Sequence, residues 1–204
     1  MHISWLGQTC VKLQTKNADE DVVIMIDAYR PEIGEFPRSF SSQIALFSRG
    51  EEEAVTLSQE PFVLSTLGEC EIKNCLVYSY PFDGKVIFKI VAEGIIIVHL
   101  GQITKKLDNA LLEKIGDPDI LFVPVGGGQS YLSPEDAASV VTTIEPRIVI
   151  PMGFQCDTDP KAMTVNDFIK EIGLKPDITD KKIIIKKKDL PAQDTKLMIL
   201  EKNY

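Results

Sequence analysis

Arg49-Gly50-Glu51-Glu52-Glu53-Ala54 sets one arginine beside three consecutive carboxylates. Two readings of this run stay open. As a helix start, Ser48 caps and Glu51 completes an S-x-x-E box, with the acids at the positive end of the helix. As a site, Arg49 pairs with Glu51 or Glu53, since an arginine and a carboxylate satisfy each other where desolvation is costly. Nucleophilic chemistry needs a thiol within hydrogen-bond reach of a base. Cys10 and His99 are the plausible members, although a buried cysteine more often serves as a small apolar residue. Only two histidines occur, His2 and His99, so no site of three or four imidazoles can be assembled. The cysteines are Cys10, Cys70, Cys75 and Cys156, and the Cys70-x4-Cys75 spacing is too wide for a zinc knuckle. Gly126-Gly127-Gly128 could cradle a phosphate only if a helix began directly after it. The next cap is Ser133, so turn and close-packing roles suffice. The run KKIIIKKK, residues 181–188, reads as lysines protecting a strand edge, or as a small anion-binding face.

The elements that must position these residues centre on residues 120–152, ILFVPVGGGQSYLSPEDAASVVTTIEPRIVIPM. Residues 120–125 form an uncharged apolar run of strand length, as expected for a strand buried on both faces. Ser133 caps a helix with Pro134 at its first position. Ala137, Ala138, Val140, Val141 and Ile144 recur at helical spacing. Pro146 ends that helix, and residues 147–150 form a second buried strand that Pro151 ends. Before this unit the chain is a run of short strands, at residues 2–6, 11–14, 22–26, 44–47, 61–64, 71–73, 76–80, 86–91 and 95–99. Gly7, Gly68, Asp83-Gly84 and Glu93-Gly94 supply turns. Residues 30–42, with Pro31, Gly34 and Pro37, form a loop. A helix over residues 107–115 ends at Gly116, another runs from the Thr164 cap to Gly173, and strands over 182–187 and 196–200 close the chain. Strands first, then strands alternating with helices, predict two facing sheets with helices outside, an α/β four-layer sandwich in one domain, residues 1–204.

The chain has 204 residues, 44% of them hydrophobic, enough for a sizeable core. The net charge of −8 disfavours nucleic acid as a partner. No apolar run approaches the roughly 20 residues that span a bilayer. Residues 1–7 are too short and lack the basic flank of an export signal. A cytoplasmic protein with reduced thiols is expected.

Several of these stretches resemble the metallo-β-lactamase fold superfamily, in its small bacterial and archaeal branch of metal-dependent hydrolases. ISWLGQTCVKLQ is similar to that branch's opening strand and W-L-G-H-[SA]-C turn. VVIMIDAY resembles its I-D-P segment, HLGQ its H-L-G-D, ILFVPVGGG its L-L-x-P-V-G-G and IVIPM its V-I-P-M-H. KKKDLPAQDTKLMILE is similar to its closing hairpin. The resemblance covers nearly the whole chain and implies an αββα, metallo-β-lactamase-like sandwich.

It also implies a metal site, usually zinc, that activates water for hydrolysis. Matched to the family's H-x-H-x-D-H, this chain has Arg49, Glu51, Glu53 and Ala54 at the ligand positions. Gln8 stands for the opening-turn histidine, Gln102 for the H-L-G-D aspartate and Gly153 for the histidine after V-I-P-M. These seven mark a degenerate former metal-site cavity, with zinc expected to be absent and no catalytic or metal-ligating residue assigned. Arg49 adds a fixed positive charge opposing a cation. The expectation is a non-catalytic member acting by binding or assembly. Its partner would be a protein or small molecule, or further copies of itself. The alternative is a divergent hydrolase of an ester, lactone or phosphodiester-type bond, with a site rebuilt from Glu51, Glu53, Cys10, Gln102, Cys156 and Asp157. Carboxylates in such a site suit magnesium or manganese, and added thiolates suit zinc. A third reading is a small-ligand binder that uses the emptied cavity, whose filling could fall to Phe154, Tyr29 or Arg49.

Overall fold

The computed structural model describes residues 1–17, 20–52 and 54–204. In chain order its strands and helices are β1 (His2–Trp5), β2 (Val11–Asn17), β3 (Glu20–Ile26), β4 (Ser39–Ser41), β5 (Ile44–Leu46), β6 (Thr56–Ser58) and β7 (Phe62–Leu64). Then come β8 (Gly68–Ile72), β9 (Cys75–Phe82), β10 (Lys85–Ala92), β11 (Ile95–His99), α1 (Asn109–Ile115), β12 (Ile120–Pro124), α2 (Pro134–Ile144) and β13 (Ile148–Met152). The chain closes with α3 (Val165–Ile172), β14 (Pro176–Asp180), β15 (Ile183–Ile184) and β16 (Lys196–Leu200).

One sheet has the order β15-β1-β2-β3-β5-β7 and the other β14-β16-β13-β12-β11-β10-β9-β8. The antiparallel β9-β10-β11 meander is set by two-residue turns at Asp83-Gly84 and Glu93-Gly94. All four of these residues have positive φ, the geometry that matches strand twist. From β11 onward the pairing is parallel, β11 to β12 to β13 to β16, so each step needs a crossover. The helices supply them. Inner side chains such as Ile3, Leu13, Ile24, Ile87, Ile97 and Phe122 are buried in one cluster shared by both sheets. Each large apolar side chain there contributes about 1.5–3 kcal/mol of burial. The architecture is the α/β sandwich expected of a metallo-β-lactamase-like chain.

Several local expectations need correction. Pro151 does not end its strand: β13 continues to Met152, opposite β12. β16 pairs only with Ile148 and Val149, so Pro151 stands where one neighbour is missing and a residue without N–H is tolerated. Residues 176–180 form an exposed edge strand that the polar sequence did not suggest. The strand over 182–187 shrinks to β15, at the edge beside β1. α2 is capped as its sequence predicts, Ser133 Oγ accepting from the Asp136 N–H at 3.1 Å. At the start of α3 the Thr164 hydroxyl instead donates to the Asp167 carboxylate. Among the described residues, no helix stands between β5 and β6. The outer face of the six-stranded sheet is covered by the parallel pair β4-β6 and its loops, packed through Phe36, Phe40 and Leu57 onto Met25, Ala45 and Phe47. No helix among the described residues is long and apolar enough to cross a membrane.

Candidate functional site

The turn after β1 builds one wall. Gly7 and Gln8 both have positive φ, closed by the Cys10 N–H on the Gly7 carbonyl. The Gln8 carbonyl accepts from Trp5 Nε1 and from the Gly153 N–H, each at 2.7 Å. Trp5 is fully buried and stacks on Phe154, with ring centroids 4.2 Å apart. Held by these contacts, Gln8 turns its amide outward, and its Oε1 accepts from Arg49 Nη2 at 3.3 Å.

The second wall follows β5. Asp27, buried at the end of β3 with φ 51°, accepts the Ser48 N–H and the Ser48 hydroxyl, both at 2.7 Å. The described residues 48–52 do not form the expected helix, and Gly50 at φ 88° lies outside the helical region. Arg49 follows directly and reaches the cleft. Glu51 turns away and accepts from Ser65 Oγ at 2.7 Å, so the Arg49–Glu51 pairing does not form. Glu53, the other partner expected for Arg49, lies outside the described residues. Ala54 bridges to Tyr29 and lines a small cavity of 190 Å³ together with Asp27, Phe47, Arg49 and Glu52.

The third wall comes from the eight-stranded sheet. Gly153 has φ 64°, and a side chain there would place its Cβ 2.8 Å from Cδ1 and Cε1 of Tyr131. The Tyr131 ring therefore occupies the space such a side chain would need. Tyr131 is fixed at its far end by donating to Asp159 Oδ2 at 2.7 Å, and burial raises its pKa. Gly126 packs beneath: a Cβ there would lie 1.9 Å from the Gly153 carbonyl. That close approach is the use of the glycine run, as expected. Gln102 follows β11, and its carbonyl accepts from Lys85 Nζ. Burial, reinforced by the charge of Arg49, lowers the Lys85 pKa.

These walls enclose a cleft of 320 Å³ lined by Gln8, Arg49, Gln102, Tyr29, Tyr131 and Thr158, among others. The Tyr29 and Thr158 hydroxyls are 2.6 Å apart. Of the seven residues singled out in the sequence, Gln8, Arg49 and Gln102 line the cleft together. Gly153 lies under the Tyr131 ring, Ala54 lines the adjoining cavity, and Glu51 faces elsewhere. The described members of the rebuilt ligand set do not converge either. Asp157 pairs with Lys202 at 2.6 Å, Cys156 Sγ lies 3.3 Å from Thr158 Oγ1, and Cys10 is buried in the outer cluster.

The Cys10–His99 pair is likewise not built. His99 Nδ1 accepts from the Gly101 N–H at 3.2 Å, so Nε2 carries the proton and donates to the Thr9 carbonyl at 2.9 Å. Burial lowers the His99 pKa and drives the Cys10 thiol well up, the latter aided by Asp27. A neutral thiol and a fully engaged imidazole are poor partners for nucleophilic attack.

Phe154 does not fill the cleft, being stacked on Trp5. Tyr131, Asp159 and Lys85 are the contributors that sequence reasoning missed. No periodic pattern marks them. The available signal was Gly153 itself, because a missing side chain at a packed strand end implies another group in its volume.

A resident metal is tested by the donors present. Among the described residues no group of three or more His, Cys, Asp or Glu could hold a metal ion. The cleft presents amides, phenols, the guanidinium of Arg49 and the carboxylates of Glu32 and Asp159, one of which already accepts from Tyr131. A fixed cation opposes a second one, and two carboxylates with amides are a poor match for the imidazole-rich set that zinc takes. The described residues do not by themselves fit the metal.

A model of the beta-lactamase superfamily domain matches residues 2–153. A UPF0173 metal-dependent hydrolase of Caldivirga maquilingensis is 30% identical over 115 residues, covering 50% of each chain. One of Lysinibacillus sphaericus is 34% identical over 65 residues, covering 32% of this chain and 28% of that relative. The matches thus span half or less of these relatives. In fold, the chain is similar to a protein of Thermotoga maritima described as a Zn-dependent hydrolase of the metallo-beta-lactamase superfamily. Its TM-score is 0.80 at 22% identity, over 98% of this chain and 100% of that one. It is also similar to Igni18, a metallo hydrolase of Ignicoccus hospitalis, with a TM-score of 0.63 at 13% identity over 84% and 90%.

Proposed function

We infer that this chain, which belongs to the beta-lactamase superfamily, is a non-catalytic member that works by binding through the cleft lined by Gln8, Arg49 and Gln102. Its relatives are named metal-dependent hydrolases. The observation that carries the reading is the Tyr131 ring, packed where a side chain at position 153 would project and anchored on Asp159. A histidine at that position would need both the ring and the backbone to move. Arg49 supports the same reading by bringing its guanidinium into the cleft that a divalent ion would otherwise share.

The test is elemental analysis of purified protein, with a screen of chromogenic lactone, carboxylic ester and phosphodiester substrates with and without zinc, manganese and magnesium. The expected result is metal far below one ion per chain and no metal-stimulated turnover. The rival reading, a divergent metal-dependent hydrolase, draws on the names of the relatives and on an open cleft of 320 Å³. Metal-dependent turnover would establish that rival and sink the binding reading.

A further inference from the structure

We propose that copies of this chain associate head to tail, the β7 edge of the six-stranded sheet adding antiparallel to the β15 edge of a second copy. The contact lies at the margins of that sheet and is independent of what the cleft binds.

β7 and β15 are the two ends of the six-stranded sheet, and each leaves a row of backbone groups with no strand beside it. In β7 the Phe62 N–H donates to the Gln43 carbonyl and the Leu64 carbonyl accepts from the Phe47 N–H, so both residues bond inward to β5. Strand alternation then turns the N–H and carbonyl of Val63 outward. In β15 the Ile185 N–H donates to the Met1 carbonyl, which in the same way turns the N–H and carbonyl of Ile184 outward. An antiparallel pair of Val63 with Ile184 of the second copy exchanges both bonds.

The side chains fit that register. Val63 stands opposite Ala45 of the outer cluster, and Ile184 stands opposite His2. The two side chains, 39% and 59% exposed, cover each other on the outer face. On the inner face Phe62 meets Ile185 and Leu64 meets Ile183, and Leu64, Ile183 and Ile185 already pack on the core. One position further on, Pro61 has no N–H to give, and it faces Lys186, whose carbonyl already accepts from the Asp189 N–H at 2.8 Å.

Charge selects the partner. Around β7, Glu51, Glu52, Glu60, Glu69 and Glu71 are exposed and hold no ion pair among the described residues. The cations on that side are Arg49, which reaches the cleft, and Lys73, which pairs with Glu20. Around β15, Lys181, Lys182, Lys186 and Lys188 are exposed and likewise hold no ion pair, against Asp180 and Asp189. In the proposed register Ser65, which donates to Glu51, faces Lys182. Glu60 approaches Lys186 and the short turn Lys187–Asp189 that carries Lys188. Two β7 edges would set acid against acid, and two β15 edges lysine against lysine, so only unlike edges join. The eight-stranded sheet stays out of the contact, because β8 carries Glu69 and Glu71 and β14 carries Asp177 and Asp180. A contact between unlike edges leaves one free edge of each kind, so the series stays open to further copies. Strands this short make each step weak and concentration-dependent.

The test is sedimentation velocity of the full chain from micromolar to millimolar concentration. The expected result is a weight-average mass that rises past two copies and falls back in high salt, which screens the edge charges. Val63→Pro and Ile184→Pro each remove an N–H that faces solvent in a single copy, a place where an edge strand tolerates proline. Each variant alone sediments as one copy. Their equimolar mixture gives a dimer and nothing larger, because one variant keeps a working β15 edge and the other a working β7 edge. Val63→Lys, which sets a lysine against the lysine margin without touching the backbone, gives the same loss as Val63→Pro and keeps the test valid if a proline variant folds poorly. A mass that stays at one copy throughout overturns the proposal. So does a wild-type plateau at two copies, association that survives all three substitutions, or a mixture of the folded proline variants that stays monomeric.

Discussion

Residues 120–152 and residues 47–58 both lead into the cleft, and they are built on different principles. In the first, β12 and β13 are buried at every position, α2 carries its own cap, and packing fixes the backbone at Gly126 and Gly153. In the second, the chain after β5 is mostly polar, and beside the packing of Phe47, Val55 and Leu57 it draws on polar contacts: the Asp27 carboxylate grips Ser48, and the Ser48 carbonyl accepts from the Val86 N–H. One region is held chiefly by volume and the start of the other also by polar contacts. Steric substitutions should therefore be severe in the first region and mild in the second, while polar deletions should reverse that order.

The largest effect is expected from Gly126→Ala. Its Cβ would lie 1.9 Å from the Gly153 carbonyl, a backbone atom, and 2.9 Å from the Tyr131 ring. Overpacking of this kind costs about 3 kcal/mol or more, because backbone must shift. Urea unfolding should show a much lower midpoint, and a midpoint near wild type would mean that the two glycines are not packed as described. Next comes Asp27→Ala. It strips the buried Ser48 N–H and hydroxyl of their acceptor, at about 2 kcal/mol. The paired variant Asp27→Ala with Ser48→Ala should recover part of that loss, since one of the two orphaned donors is then gone.

A smaller, pH-dependent effect bears on the seam between the regions. His99 ends β11, and its Nε2–H reaches the Thr9 carbonyl in the turn after β1. Burial holds its pKa below the ordinary 6.5, so the unfolded chain binds the proton more readily than the folded one. Stability is therefore full above about pH 6.5 and is lost as pH falls from there toward the folded pKa. Unfolding midpoints taken from pH 8 to 5.5 should decline, and His99→Gln should flatten the decline. His2, whose pKa is also lowered, by burial first and then by the nearby Lys182 charge, adds to the slope in the same direction. An unchanged slope in His99→Gln would place the pH sensitivity elsewhere.

The same contrast decides how much could be read from sequence. Strands, the α2 cap, the turns at Asp83-Gly84 and Glu93-Gly94 and the facing sheets were legible, because apolar runs and turn residues act locally. The resemblance supplied the family and directed attention to Gln8, Arg49, Gln102 and Gly153. What stayed hidden was set by long-range polar contacts. Ser48 carries a correct capping pattern, yet Asp27, 21 residues earlier, claims it. β14 is exposed at every residue, so no apolar alternation announces it. Tyr131 sits in an aperiodic turn and gains meaning only through the empty position at Gly153. A contact made by one distant buried carboxylate leaves almost no local trace, whereas packing writes its pattern into every second or third residue.

Gly50→Ala isolates that distinction most narrowly. Gly50 has φ 88°, and a Cβ there would meet nothing within 4 Å. Any cost must come from the backbone conformation alone, about 1 kcal/mol for an alanine with positive φ. Set beside Gly126→Ala, the same change of one methyl group tests the two regions by one measure. A loss equal to that of Gly126→Ala would mean that the turn at Gly50 is also held by packing. A loss of about 1 kcal/mol, with Asp27→Ala remaining the costlier change nearby, leaves the Asp27–Ser48 grip as what carries Arg49 to the cleft.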